Sequence, residues 1–331
     1  MNFFITLQEG PLRDQFFPGN IIDKLNALGN VSFNEQGRTM TEEELAESLR
    51  DTDVCITHSW LGCPVFNEVS LKHASRLKLI AHVCASVGPF ITEQVYSRGI
   101  KVSSANAIMA RYVAEGTLAY MLSSLRDIPR HDHAMKQGSW TSFPKVSLMN
   151  KKISLVGLGT VGRYLLEMLK PFQVSVRIYD PYITEADLLP YPEAELLSTL
   201  QETLEWGEII SLHASRTKDT FHLLNSEMLR FIPDGALLIN TSRGALIDEK
   251  ALIGELSKGR FRAVLDVFEQ EPLPADNDLP ALENVILQPH CAGDTDYAGY
   301  TQGLIEEIER FIAGEPLQLA IPYKQFKLMT V

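Results

Sequence analysis

The chain has 331 residues, 45% apolar and 22% charged, with a formal net charge of −12. That length exceeds one ordinary core and suits two domains, and the composition is that of a globular chain. The acidic balance excludes a nucleic-acid footprint, which needs a basic face, but not small anions held by backbone amides and single Arg or Lys side chains. Residues 1–7 lack a basic n-region and are cut off by Gln8-Glu9-Gly10-Pro11, so no signal peptide is expected. No run approaches the ~18 apolar residues of a membrane span. Cys55, Cys63, Cys84 and Cys291 have neither metal-ligand nor CxxC spacing and read as reduced thiols of a cytoplasmic protein, with no metal expected.

In chain order, residues 3–7 predict a strand, residues 21–28 a helix closed by Gly29, and residues 31–33 a second strand. Thr41 followed by Glu44 has capping-box spacing, so a helix starts there and continues through Leu49. Short apolar strands follow at 53–57, 77–83 and 100–102. Strands alternating with helices imply a parallel sheet covered on both faces. Residues 111–126 predict an Ala- and Leu-rich helix with too little polar surface to stand in water, suited to packing between domains or on a second subunit. Residues 127–150 are polar, carry Gly138 and Pro144, and read as a connecting arm.

From Lys151 the alternation restarts, with a strand at 153–156, a helix at 161–169 and a strand at 174–179 ending on Asp180. Further strands are expected at 209–213, 236–240, 262–266 and 285–287, each a short apolar run ending in polar residues. Parallel strands whose carboxyl ends line a crevice have that pattern. A last helix at 303–313 is placed to return to the first domain.

Gly157-Leu158-Gly159-Thr160-Val161-Gly162 follows a strand and opens a helix, with Asp180 ending the next strand. A lone GxGxxG is weak, but with an acid about 20 residues on it is the dinucleotide fingerprint. Gly157 permits the tight turn, Gly159 lets a pyrophosphate approach the backbone, and Gly162 allows close helix–strand packing. The helix amino end offers unpaired N–H groups to phosphates. Asp180 can accept both ribose hydroxyls and would repel a 2′-phosphate, so NAD is expected over NADP.

Three residues past later strands carry the chemistry: Arg243 before Gly244, Glu271 before Pro272, and His290 after Pro289. Singly, each has an ordinary reading as an ion-pair or cap arginine, a turn residue and a satisfied histidine. Strand carboxyl ends converge in this architecture, so the three are expected to meet. Hydride transfer to a ketone needs a proton donor for the oxygen, and an imidazole suits neutral pH. His290 is that donor, Glu271 its orienting partner, and Arg243 the holder of a carboxylate and its neighbouring carbonyl. Asp266 is placed on the nicotinamide side.

On Val113-Ala114-Glu115, Tyr179-Asp180-Pro181 and residues 156–162, 240–248, 265–274 and 289–295, the chain resembles the D-isomer-specific 2-hydroxyacid dehydrogenase family. The resemblance covers about residues 77–316. It implies an α/β fold of two doubly wound parallel-sheet domains, a Rossmann NAD-binding domain (105–294, with a dimerisation arm at 111–150) inserted into a flavodoxin-like substrate domain (1–104 and 295–331). It implies a cleft between them, an NAD cofactor, a small 2-oxo or 2-hydroxy carboxylic acid as substrate, and a homodimer whose Trp140 or Phe143 reaches the partner's site. Thr160, Val161, His213, Thr217, Thr241, Ser242 and Gly293 join the fingerprint glycines, Asp180 and Asp266 as cofactor residues, and Ala85, Ser86 and Val87 join Arg243 as substrate residues.

The chain departs from the family at Cys84-Ala85-Ser86-Val87-Gly88, where members have Gly-x-Gly-x-Asp, and at His213-Ala214-Ser215-Arg216-Thr217, where they have His-x-Pro-Leu-Thr. Arg216 adds a positive charge, which leaves NADP tolerance open. Met109 and Glu271 stand where formate dehydrogenases have Asn and Gln, which argues against formate. The transcriptional corepressors called C-terminal binding proteins share the triplet, so an NAD(H)-sensing protein without significant turnover is the alternative. Phosphite or another unusual hydride donor is a third reading.

Overall fold

The computed structural model describes residues 1–59 and 61–327; residues 328–331, the end of the expected substrate domain, lie outside the described residues. Strands β1 (Asn2–Gln8), β2 (Asn30–Asn34), β3 (Val54–Thr57), β4 (Leu79–His82) and β5 (Lys101–Ser104) alternate with helices α1 (Pro11–Phe16), α2 (Gly19–Leu28), α3 (Glu42–Ser48) and α4 (Glu93–Ser97). Helices α5 (Asn106–Leu125) and α6 (Ile128–Lys136) follow. Then come β6 (Lys152–Val156), α7 (Thr160–Leu169), β7 (Ser175–Tyr179), β8 (Ala194–Leu196), α8 (Leu200–Trp206), β9 (Ile209–Leu212), β10 (Leu237–Asn240), α9 (Glu249–Leu256), β11 (Arg262–Leu265) and β12 (Val285–Leu287). Helices α10 (Tyr297–Ala313) and α11 (Tyr323–Phe326) complete the described chain.

The chain divides into two compact units, Met1–Met109 with the chain from Thr295 on, and Ala110–Asp294. The first unit carries the parallel sheet β2-β1-β3-β4-β5. On one face of that sheet Phe4, Cys55, Ile80 and Val102 cluster with Leu45, Leu49 and Val95, and on the other Phe3, Ile5, Ile56 and Leu79 are buried as well. The Thr41 hydroxyl and the Glu44 carboxylate exchange hydrogen bonds with each other's backbone N–H, so the capping box forms as its spacing predicts. Helix α10 starts at Tyr297, ahead of its sequence-predicted start, because the Asp296 carboxylate accepts the Gly299 N–H and caps it.

The second unit carries a seven-stranded parallel sheet in the order β12-β11-β10-β9-β6-β7-β8. Counted within the unit, that is 7-6-5-4-1-2-3, the doubly wound order with one strand added. The order reverses between β6 and β9, and the crevice of such a sheet opens at that point beyond the strand carboxyl ends. Ala114, Met121 and Leu125 of α5 are buried with Leu165 and Leu169 of α7 and Ile153 and Leu155 of β6. The apolar side of α5 is thus covered by the core of its own unit. The arm contains a helix the sequence pattern did not show: α6 has Pro129 in its first turn and buries none of its side chains.

In the first unit the chain after α10 runs back along β5, through Ser104 N–H to Leu319 O (3.1 Å) and Ile321 N–H to Val102 O (2.8 Å). Glu307, fully buried in α10, holds this return by accepting the N–H groups of Gln318 (3.0 Å) and Leu319 (2.6 Å). Glu307→Ala leaves both donors without an acceptor and is expected to destabilise the chain by about 2–4 kcal/mol. Urea denaturation measures this, and Glu307→Gln, which keeps one acceptor, is expected to lose less.

Candidate active site

At the carboxyl end of β6, Gly157 has φ +92°, and a Cβ there would lie 2.7 Å from the Ala214 nitrogen. Only glycine lets the β6 turn approach the loop after β9 this closely. At Gly159, by contrast, the nearest atom to such a Cβ is the His213 oxygen at 3.9 Å, and no side chain caps α7. The first N–H groups of α7 therefore face open space with the positive end of the helix dipole behind them. These features fit a dinucleotide: Gly159, Thr160, Val161 and Gly162 would hold its pyrophosphate. Asp180 is fixed beside the turn, its two oxygens accepting the N–H groups of Leu158 (2.8 Å) and Tyr182 (2.9 Å).

Beyond β12, His290 Nδ1 lies 2.7 Å from Glu271 Oε2, and the Phe268 N–H donates to Glu271 Oε1 at 2.9 Å. The hydrogen bond to Glu271 raises the imidazole pKa above its ordinary value, against burial and the Arg243 charge. Burial pushes the Glu271 carboxyl up, but the bonds from His290 and the Phe268 N–H outweigh it and hold the group below the usual range. Burial also disfavours charge on Arg243, and Glu271 opposes that. A guanidinium nonetheless stays charged near neutral pH.

Arg243 projects from the loop after β10, where Asn240 Nδ2 donates to the Arg243 carbonyl (2.9 Å) and Arg243 Nη1 to the Ser242 carbonyl (2.7 Å). At Gly244 a Cβ would come within 1.9 Å of the Phe268 carbonyl, so the loops after β10 and β11 touch backbone to backbone. That contact sets Arg243 beside the Glu271 loop. A groove of about 570 Å³ runs past the pair, walled by Phe268, Pro272, Leu273, Leu287 and Pro289.

His290 has φ +56°, a left-handed conformation that costs a non-glycine residue about 1–3 kcal/mol. The buried Asp266 carboxylate secures it, accepting the N–H groups of Cys291 (2.9 Å) and Ala292 (3.1 Å) and the Tyr120 hydroxyl (3.3 Å). Asp266, expected on the nicotinamide side, is thus engaged largely by the protein itself. Gly293 packs against Val113 of α5. The Thr241 hydroxyl meets Thr117 at 2.8 Å, and Ser242 donates to Asn240 at 2.8 Å. Thr217 forms a turn with Thr220. His213 Nε2 meets the Ser211 hydroxyl at 2.9 Å, and burial pushes the ring's pKa down to about 4, so it is neutral at the edge of the glycine turn.

Residues the sequence reading passed over also shape the site. Tyr120 and Asn240 act through the contacts above, and His222 binds Glu269 at 2.5 Å. Burial, with Asp266 adding and His290 opposing, pushes the Asp294 carboxyl up to about 6. Asp294 stands inside the quoted 289–295 stretch, and its acidity was the available signal.

In the first unit, the loop after β4 turns the carbonyls of both Cys84 and Ala85 onto the Ser104 hydroxyl, at 2.8 and 2.7 Å. In trans peptides the N–H points opposite the C=O, so the N–H groups of Ala85 and Ser86 both point away from Ser104. That of Ala85 finds no acceptor among the described residues.

A doubly wound sheet with this glycine cradle at its carboxyl edge defines a dinucleotide-binding domain. The chain belongs to the D-isomer specific 2-hydroxyacid dehydrogenase family, whose NAD binding domain matches residues 118–292, and NAD(H) is its cofactor. It is 34% identical over 298 residues to a D-3-phosphoglycerate dehydrogenase of Methanocaldococcus jannaschii, covering 88% of this chain and 56% of that protein. It thus spans little more than half of that relative. A glyoxylate reductase of Thermofilum pendens is 34% identical over 267 residues, covering 77% of this chain and 76% of that one. Among solved structures, an acyclic imino acid reductase in complex with NADPH and D-Arg has a TM-score of 0.80 at 26% identity, covering 97% of this chain and 100% of that one.

The His290–Glu271 pair is open to a test that needs no ligand. NMR titration of the histidine resonances is expected to place His290 above the ordinary imidazole range, and Glu271→Gln to bring it down. An unchanged His290 midpoint in that variant would contradict the electrostatic pairing described above.

Proposed function

We propose that the chain is an NAD-dependent dehydrogenase that interconverts a D-2-hydroxyacid and its 2-oxoacid. The 2.7 Å contact of His290 with Glu271, in the same unit as the glycine cradle, carries this reading. Glu271 takes Nδ1, leaving Nε2 as the atom that gives a proton to the carbonyl oxygen in reduction and removes it in oxidation. Bound NADH supplies the hydride to C2. Arg243 holds the carboxylate and polarises the neighbouring carbonyl, and the amides of Ala85, Ser86 and Val87 form a second carboxylate cradle. The relatives named glyoxylate reductase and D-3-phosphoglycerate dehydrogenase support a small oxoacid. They favour turnover over an NAD(H) sensor. Asp180, fixed beside the glycine turn, supports NAD over NADP.

NADH oxidation against a panel of 2-oxoacids tests the reading. His290→Ala is expected to lose about 10²–10⁴-fold in kcat, and Arg243→Ala about 10²-fold in kcat/KM through lost charge-assisted bonds. Reduction needs protonated His290, so its rate falls as pH rises through the raised pKa. In Glu271→Gln that alkaline limb moves to lower pH. Undiminished activity in both alanine variants removes the assigned roles.

We also propose a cytoplasmic homodimer built on the 111–150 arm, with Trp140 or Phe143 offered to the partner's site. Trp140 is 91% exposed, a large apolar surface that its own chain does not cover. Sedimentation is expected to give a species of about twice the 37.0 kDa chain mass. A monomer at micromolar concentration contradicts this.

A further inference from the structure

Arg216 replaces a leucine of the family pattern, and its place in the sheet says what the extra charge is for. The loop after β9 is closed by Thr220 Oγ1 donating to the Ser215 carbonyl (2.7 Å) and by the Thr217 N–H donating to Thr220 Oγ1 (2.7 Å). Arg216 therefore stands at the head of a hydrogen-bonded turn. The same loop continues along the Arg243 loop, with His222 N–H to Ala245 O and Leu224 N–H to Leu246 O, both 2.9 Å. It is also tied to the Glu271 loop through His222 and Glu269.

Sheet order decides which end of the dinucleotide this turn faces. Asp180, on the ribose side, ends β7, and β6 lies between β7 and β9. Two strand spacings, about 10 Å, separate the ends of β7 and β9. Arg216 follows β9, across β6 from the strand that Asp180 ends, and its charge acts on Arg243.

Arg216 is exposed and makes no hydrogen bond or ion pair among the described residues. The nearby acids are already engaged: Glu271 by His290 and the Phe268 N–H, Glu269 by His222, and Asp266 by the loop after His290. Asp219, its acidic neighbour in the turn, forms no ion pair with it among the described residues either. Two guanidinium groups therefore bear on one another with a single carboxylate, Glu271, facing Arg243. One bound carboxylate balances Arg243 and leaves Arg216 uncompensated.

We propose that Arg216 is a specificity-determining residue that takes a second negative charge beside the carboxylate held by Arg243, either a distal carboxylate or phosphate of the substrate or the pyrophosphate of the cofactor. The proposal rests on the reading of Arg243 as the carboxylate holder. The experiment uses the full chain as wild type, Arg216→Leu and Arg216→Lys. One arm measures the Kd of NADH and of NADPH by nicotinamide fluorescence, without turnover. The other compares kcat/KM for oxoacids differing in distal charge, pyruvate against oxaloacetate and hydroxypyruvate against its 3-phosphate. Arg216→Leu is expected to lose tenfold or more either in NADH affinity or in preference for the charged acid, and Arg216→Lys to recover most of it. The arm that moves identifies the source of the anion. Changes below about twofold in both arms overturn the proposal, as does weakened NADPH binding with NADH unaffected. A wild type that reduces no oxoacid defeats the proposed function instead, and the NADH arm then decides Arg216 alone.

Discussion

The carboxylate of Asp266 accepts the two peptide N–H groups that follow His290, and the candidate site depends on that pair of bonds. His290 adopts a left-handed backbone that a histidine does not take for its own sake. A carboxylate buried to 1% exposure and satisfied by three donors holds the turn, so the ring is delivered toward Glu271. Helix α5 supplies the floor, through Tyr120 on Asp266 and through Val113 against Gly293. Asp266 acts on the backbone, and Glu271 is the carboxylate on the imidazole.

Three loops of the second unit are locked at the carboxyl edge of its sheet by contacts of different kinds. The β10 and β11 loops meet backbone to backbone at Gly244, where any side chain would collide with Phe268. The β9 loop is joined to them by main-chain hydrogen bonds and by His222 on Glu269. Such sites work when the reacting groups are held by rigid elements and by hydrogen bonds behind them. Here the second layer includes Asn240, Asp266 and the Phe268 N–H, none of which bears the chemistry itself.

Long apolar or strongly punctuated segments were legible from sequence. The capping box at Thr41 and the glycine turn after β6 each follow from chemistry confined to a few residues. Short elements were not legible. Strand β8 is three residues at the sheet edge, Ala194-Glu195-Leu196, without a buried residue to mark it. Helix α6 is polar on average and buries none of its side chains. The start of α10 was read late because Gly299 and Gly303 weaken the pattern there, while Asp296 caps the helix regardless.

By itself the sequence determined the glycine turn and the parallel architecture, and it raised the expectation that Arg243, Glu271 and His290 would meet. Those are local demands: a positive φ at Gly157, an open helix end, a run of apolar residues ending at a crevice. Glu271 was expected beside His290 and lies there, but only the tertiary structure decided what the neighbouring acids do. Asp266, Glu269 and Asp294 lie close to Glu271 in the chain, and spacing does not say what they hold. Strand order and loop contacts do, placing Glu271 on the imidazole, Glu269 on His222 and Asp266 on the backbone. The same order places Arg216 on the Arg243 side of the glycine turn, because a charge acts on what the fold puts near it and not on its neighbours in the chain.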